Sequence, residues 1–487
     1  MKHIAIIGGG FTGTMTAVNL ARLAEAPLQV TVINHGSPPG RGVAYSTTRP
    51  EHLLNVAARN MSALPEHPNH FVEWLRTRTE FVEMPDAELR ETFFPRRIYG
   101  DYLRSLALHY TQPLDRRGPV EISFIDDEAV DVTPGRSGAR ITLASGRTID
   151  ADNVVLATGN ETPAELPGSE SLSAHPGYAA NPWQNWTTKL PDPKETIVLL
   201  GTGLTTIDAI ITLFALGWSG QIHAVSRHGW FPHSHFRGSS HPEFPPADLD
   251  LATLGLERLA ALVEEHCARL RKTGENPAIV VDLLRAHTQR IWQAFSVAER
   301  KAFVSRYAAR WNVMRHRIAP SLHQTVMAAC ADGRLQVTPA SIARLEAHGP
   351  RIHVHLTQSA AAGSNHPSSP LTAALVINCT GPQTRFSATR SRLLQALLAR
   401  GVVMPDEMDM GVRITADFAA VEQDGTPSTF LYALGPLLRG TLWETIAVPE
   451  LRGQTLHVAQ SLLKGMARRV RPEWALEPEP AVVEYSI

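Results

Sequence analysis

Ile4-Ala5-Ile6-Ile7-Gly8-Gly9-Gly10-Phe11-Thr12-Gly13 opens the chain with an apolar run, a glycine turn and the start of a helix. That order builds a dinucleotide cradle. Gly8 permits the tight turn, Gly10 lets backbone approach a pyrophosphate, and Gly13 lets helix pack on strand. The helix predicted over residues 14–23 aims its N-terminal N–H groups at the phosphates. A second strand, Gln29-Val30-Thr31-Val32-Ile33, follows at βαβ spacing and lifts the glycine pattern above a mere packing turn. Where an acid usually holds the adenosine ribose stands Asn34, which hydrogen-bonds a diol but accepts more weakly than a carboxylate.

The scheme occurs twice. After the first turn come the strands Val120–Phe124, Ala129–Thr133 and Ala139–Leu143, then Asn153-Val154-Val155-Leu156-Ala157-Thr158-Gly159. In the second half Thr196–Leu200 leads into Gly201-Thr202-Gly203-Leu204-Thr205-Thr206. Past an insertion come Leu335–Thr338, Ile342–Glu346, Arg351–Leu356 and Leu375-Val376-Ile377-Asn378-Cys379-Thr380-Gly381. A strand ending in Thr-Gly delivers the chain to a nucleotide crevice, where glycine leaves room for a cofactor. The fold class expected is therefore α/β: two paired Rossmann-like dinucleotide-binding domains with β-meanders and a helical insertion. Such pairs hold FAD in one unit and receive NAD(P)H in the other.

The boundaries this predicts are 1–165 with 375–465 for the FAD domain and 190–245 with 330–374 for the NAD(P)H domain. The helical insertion is placed at 246–329 and a C-terminal tail at 466–487. The second fingerprint carries Thr206 where a third glycine is usual, so its helix should stand further from its strand. Arg227, at the end of the strand Gln221–Val225 and about 20 residues past the turn, has two readings. Either it reads a 2′-phosphate and favours NADPH, or it is a surface cation at a strand end.

In the insertion, Leu251, Leu254, Leu256, Leu259, Leu262 and Val263 mark one helical face, and Ser296-Val297-Ala298-Glu299 has the form of a capping box. Its basic residues Arg285, Arg290, Arg310, Arg315, His316 and Arg317 are either solvated or line a channel for an anionic substrate. The helices could equally form a dimer surface. The chain has 487 residues and a net charge of −1, which gives no electrostatic reason to expect nucleic acid or an acidic membrane as partner. Three scattered cysteines, Cys267, Cys330 and Cys379, form no CxxC pair and fit a reducing cytoplasm. No segment has the length or leader pattern of a membrane span or signal peptide. The histidines of Ser226–His235 and His241 sit in a proline- and glycine-rich loop without cysteine or HExxH, so no metal is expected.

Further blocks carry a resemblance that runs nearly end to end: Gly40-Arg41-Gly42-Val43-Ala44-Tyr45-Ser46, His52-Leu53-Leu54-Asn55-Val56 with Met61-Ser62, and Phe94-Pro95-Arg96-Arg97-Ile98-Tyr99-Gly100. Later come Asn181-Pro182-Trp183, Ser226-Arg227-His228-Gly229, Ile377–Pro382, and Leu434-Gly435-Pro436 with Gly440-Thr441-Leu442-Trp443-Glu444. With them the chain resembles a bacterial family of FAD/NAD(P)-binding flavoprotein monooxygenases, which includes a urate hydroxylase and amino-acid N-hydroxylases. The resemblance implies FAD as cofactor, NAD(P)H as co-substrate, and O₂ with a small molecule as reactants. The resemblance implies further that NAD(P)H would reduce FAD, that a flavin C4a-hydroperoxide would form with O₂, and that the favoured substrate, urate, would take oxygen to give 5-hydroxyisourate. The alternatives are N-hydroxylation of an amino acid or amine, and a flavin-binding or redox-sensing protein without catalysis.

On that resemblance Gly8, Gly10, Gly13 and Asn34 hold FAD, Thr158, Gly159, Gly381 and Gly435 line its crevice, and Asn55 and Met61 face the isoalloxazine. Gly201, Gly203, Thr206 and Arg227 take the nicotinamide nucleotide. Arg96, Trp443 and Glu444 are expected to touch substrate, each with a rival reading: a local salt bridge, a core side chain and a helix cap.

Overall fold

Strand β1 (Lys2–Ile7) buries Ile4 to Ile7 without alternation, as a central strand does when both faces of its sheet are covered. The computed structural model describes residues 1–111, 119–237, 241, 243–358 and 369–467. Helix α1 (Phe11–Leu23) starts three residues earlier than the sequence pattern suggested, with Gly10 at its N-cap. β2 (Leu28–Asn34) pairs parallel to β1, and β3 (Val120–Asp126) pairs parallel to β2. β3 is thus the sheet's edge, not part of the meander expected there. The antiparallel trio is Ala129–Pro134, Ala139–Leu143 and Thr148–Ala151. On the other side of β1 lies β4 (Asn153–Leu156), followed by Pro427–Ala433 and the antiparallel edge Ala419–Val421.

The second sheet repeats this core. β5 (Thr196–Leu200) and β6 (Gln221–Ser226) pair in parallel, connected by α3 once α2 (Arg96–Thr111) of the first unit is counted; α3 spans Leu204–Ala215. β7 (Leu335–His348), expected as two strands, is continuous. Its first half runs parallel to β6 and its second half antiparallel to Arg351–Gln358, with an irregularity between Ile342 and Arg344. β8 (Leu375–Asn378) pairs with β5 in this sheet. The predicted boundary at 375 is therefore corrected: the chain returns to the first sheet only after residue 378. The tail placed at 466–487 lies outside the described residues from 468 onward.

Between β6 and β7, helices from Gly255 to Ala331 form the insertion, and the Ser296–Glu299 capping box is present. Leu251, Leu256 and Leu259 are buried, packing with Trp292, Phe295 and Trp443 in one apolar cluster. The insertion's core thus continues into the C-terminal part of the first unit. Among the described residues no helix is long and apolar enough to cross a membrane.

Candidate functional site

The two glycine turns are built alike, down to the backbone atoms they crowd. Gly8 has φ +109° and Gly201 φ +115°. A Cβ on Gly8 would lie 2.2 Å from the Ala157 carbonyl oxygen, and one on Gly201 2.5 Å from that of Cys379. The Gly8 N–H donates to Ile33 O at 2.8 Å and the Gly201 N–H to Val225 O at 2.7 Å. A Cβ on Gly13 would sit 1.8 Å from Gly8 O, so α1 lies against the turn itself. In the second unit the fully buried Thr206 fills the matching position. Gly159 (φ +73°) and Gly381 (φ +90°) end their strands with nothing within 4 Å of an added Cβ. Space is thus kept open where each strand delivers the chain to its crevice, the feature a bound nucleotide needs.

Gly40–Ser46 closes over the first turn. Gly40 N–H donates to Gly9 O at 3.0 Å, and a Cβ on Gly10 would be 3.3 Å from Gly42 Cα. Asn34 is a strut of this loop: its Oδ1 accepts the Gly9 N–H at 2.8 Å and its Nδ2 donates to Ser37 O at 2.6 Å. Both polar ends are engaged within the chain, which leaves one lone pair of Oδ1 for the ribose contact expected of it. Thr158 and Asn55 are half-buried, and the Asn55 carbonyl lies 2.7 Å from a His235 ring nitrogen. Met61 is buried in the apolar cluster of Phe11, Met15 and Phe71. Gly435 (φ +69°) lies against Thr12 of α1, and its N–H donates to Gln454 Oε1 at 3.1 Å.

In the second unit Gly203 caps α3 in open space. Arg227 is exposed at the end of β6, with no acid partner among the described residues. Beside it His228 stacks on the exposed Trp230 at 4.4 Å, and Thr202 Oγ1 donates to Trp230 O at 2.6 Å.

Arg96, Trp443 and Glu444 do not form one constellation. Arg96 makes a bidentate ion pair across the units, Nη1 to Asp208 Oδ2 at 2.7 Å and Nη2 to Oδ1 at 3.1 Å, while its Nε donates to Leu53 O at 3.0 Å. Every guanidinium nitrogen is spent, and a substrate anion would have to displace a buried carboxylate. His52 adds a second tie, 2.8 Å from Thr212 Oγ1, and burial holds its imidazole pKa below the ordinary value. Trp443 (φ +60°) stacks on Trp292 at 4.9 Å in the insertion's core. Glu444 Oε1 accepts from Trp311 Nε1 at 2.8 Å and Oε2 faces Arg315 Nε at 3.4 Å. These two residues therefore hold the insertion to the segment after Pro427–Ala433, in place of the substrate contact expected.

The arginine channel is corrected in the same way. Arg285 pairs with Glu450, Arg290 with Asp250, Arg310 with Glu264, and Arg317 with Asp282. The histidine stretch does not converge either. Only His241 joins other potential ligands, with Glu243 and His266 atoms within 4.8 Å of one another, and there Arg269 Nη2 donates to His266 Nδ1 at 3.1 Å. A guanidinium against that imidazole opposes a cation.

Two residues had no sequence signal. Arg439 and Asp406 flank Gly440: a Cβ on Gly440 would collide with the Asp406 carboxylate at 2.0 Å. Asp406 Oδ1 accepts from Met408 N at 2.8 Å and Met410 N at 3.2 Å, while Oδ2 is buried without a partner. Burial pushes its carboxyl up to about 6. A folded pKa above the unfolded one means stability present below about pH 4 and lost as pH rises through about 6. Asp406→Asn is therefore expected to match the parent near pH 4 and to be more stable at pH 8 by about 1 to 3 kcal/mol, read from thermal melts at both pH values.

Residues 5–161 match an FAD-NAD(P)-binding family. No curated protein matches the chain by sequence. Among solved structures, the ornithine N-hydroxylase of Kutzneria sp. 744, with reduced FAD, NADP⁺ and L-ornithine, superposes with a TM-score of 0.65. It is 15% identical over 96% of this chain and 100% of its own. The L-lysine 6-monooxygenase from Pseudomonas syringae gives 0.64, at 16% identity over 97% and 100%. The FAD-bound cadaverine monooxygenase DfoA from Erwinia amylovora gives 0.57, at 14% identity over 98% and 98%. At these identities the likeness establishes a shared fold.

Proposed function

We propose that this chain is an FAD-dependent, NADPH-consuming monooxygenase that hydroxylates the nitrogen of an amino acid or amine. The observation that carries this is the pair of glycine turns with open strand ends at Gly159 and Gly381, in a chain-long fold shared with ornithine, lysine and cadaverine hydroxylases. Bound FAD supplies the oxygen-transferring chemistry. Gly8, Gly10 and Gly13 hold its pyrophosphate against the start of α1, and Thr158, Gly159 and Gly435 line the crevice along which it extends. Gly201, Gly203 and Arg227 take NADPH in the second unit. Urate, a planar anion that a channel of free arginines would suit, finds no such channel in the insertion, because Arg285, Arg290, Arg310, Arg315 and Arg317 are paired with acids.

FAD-loaded protein given NADPH, O₂ and in turn L-ornithine, L-lysine, cadaverine or urate tests the reading. An amine that accelerates NADPH consumption and gains one oxygen atom by mass, with little peroxide, is the expected result. NADPH consumption that no amine stimulates, balanced by peroxide, contradicts it and leaves the non-catalytic flavoprotein. Arg227→Ala is expected to raise the KM for NADPH about 10- to 100-fold while leaving that for NADH unchanged, since only the former carries the 2′-phosphate. Equal effects on both nicotinamides in steady-state kinetics would remove Arg227 from that role.

A further inference from the structure

Arg439 differs from Arg285, Arg290, Arg310, Arg315, Arg317 and Arg96 in having no ion-pair partner among the described residues. Among the described residues its guanidinium makes no hydrogen bond and no ion pair; its one fixed neighbour is the Trp443 ring, 5.6 Å from the guanidinium carbon. It lines a narrow crevice with Gly159, Asn160, Gln383, Met410 and Leu437. That crevice opens where the two strand ends face each other, Gly159 from β4 and Pro382 just beyond Gly381. Burial lowers the guanidinium's proton affinity, and the charge of Glu444 offsets this only in part. A partly desolvated cation without a carboxylate in contact is costly, and an anion entering the crevice reduces that cost. Two acids in the neighbourhood are already committed. Glu161 accepts from Thr389 Oγ1 at 2.5 Å and from Arg390 N at 3.1 Å, and Asp409 accepts from Ser387 N at 2.7 Å.

We infer that Arg439 binds the α-carboxylate of the substrate, so that the site takes an amino acid in preference to the diamine left when that carboxylate is removed. This rests on the amine-hydroxylating reading and narrows its substrate class. The solved relatives include hydroxylases of both kinds, for ornithine and lysine and for cadaverine. A planar fork matched to a carboxylate separates them, because a diamine offers it nothing to accept its protons.

Calorimetric titration of the FAD-loaded protein with two matched pairs, L-lysine against cadaverine and L-ornithine against putrescine, reads the inference by binding alone. The amino acid of a pair is expected to bind at least about tenfold more tightly, the worth of one charge-assisted contact. Arg439→Gln should abolish that preference with flavin absorbance retained, and Arg439→Lys should keep part of it. Equal binding within both pairs, binding of neither member, or a preference that survives in Arg439→Gln overturns the inference. Loss of flavin from Arg439→Gln also overturns it, by assigning the residue to the cofactor. Failure of the broader functional reading looks different: the amino acid is bound with preference but gains no oxygen.

Discussion

Gly13→Ala is expected to give protein that neither retains FAD nor folds stably. The added methyl would lie 1.8 Å from Gly8 O and 3.2 Å from the Ile6 side chain. The first obstacle is backbone in the turn that forms the cradle, which no rotamer change relieves. Separating α1 from β1 moves the N–H groups that face the pyrophosphate and opens the packing around Ile6. Overpacking that forces backbone to move costs about 1 to 3 kcal/mol, and a contact this close lies at the upper end. Denaturant unfolding and the flavin absorbance of the purified protein check it together. At the matching position of the second unit, Thr206→Ala only removes bulk from a buried site and should leave FAD retention intact.

The second large effect is expected at the tie between the units. Arg96→Ala leaves the Asp208 carboxylate buried with no cation, and breaking such a pair from one side costs about 3 to 5 kcal/mol. The double change Arg96→Leu with Asp208→Leu removes both charges and should cost markedly less, so a double-mutant cycle by urea unfolding will show strong coupling. Because the pair joins α2 of the first unit to α3 of the second, the single variant should also slow flavin reduction by NADPH. A merely local salt bridge would leave that rate unchanged.

What could be read from the sequence follows how local each constraint is. The glycine turns and the Ser296–Glu299 capping box are set by residues a few positions apart, and all appear where the pattern placed them. β8 was put in the wrong unit by the drawn boundary because its partner β5 lies more than 170 positions back, and an apolar four-residue strand carries no mark of which sheet will take it. Arg96, Trp443 and Glu444 stand in distinctive blocks, yet a block does not say whether its side chains meet a ligand or another part of the chain. Their partners are Asp208, Trp292, Trp311 and Arg315, on helices far along the chain. Arg439 carries no such mark for the converse reason: its distinction is burial without an ion-pair partner, and neither half of that is visible before the chain is folded.

The central claim is that the first crevice holds FAD and the second presents NADPH to it. Loading the protein with FAD and mixing it with NADPH or NADH in the absence of air tests this most directly, read as loss of the oxidised flavin's visible absorbance. One flavin per chain, bleached faster by NADPH than by NADH, is the predicted result. A chain that takes up no flavin, or a bound flavin that neither nicotinamide reduces, would contradict it.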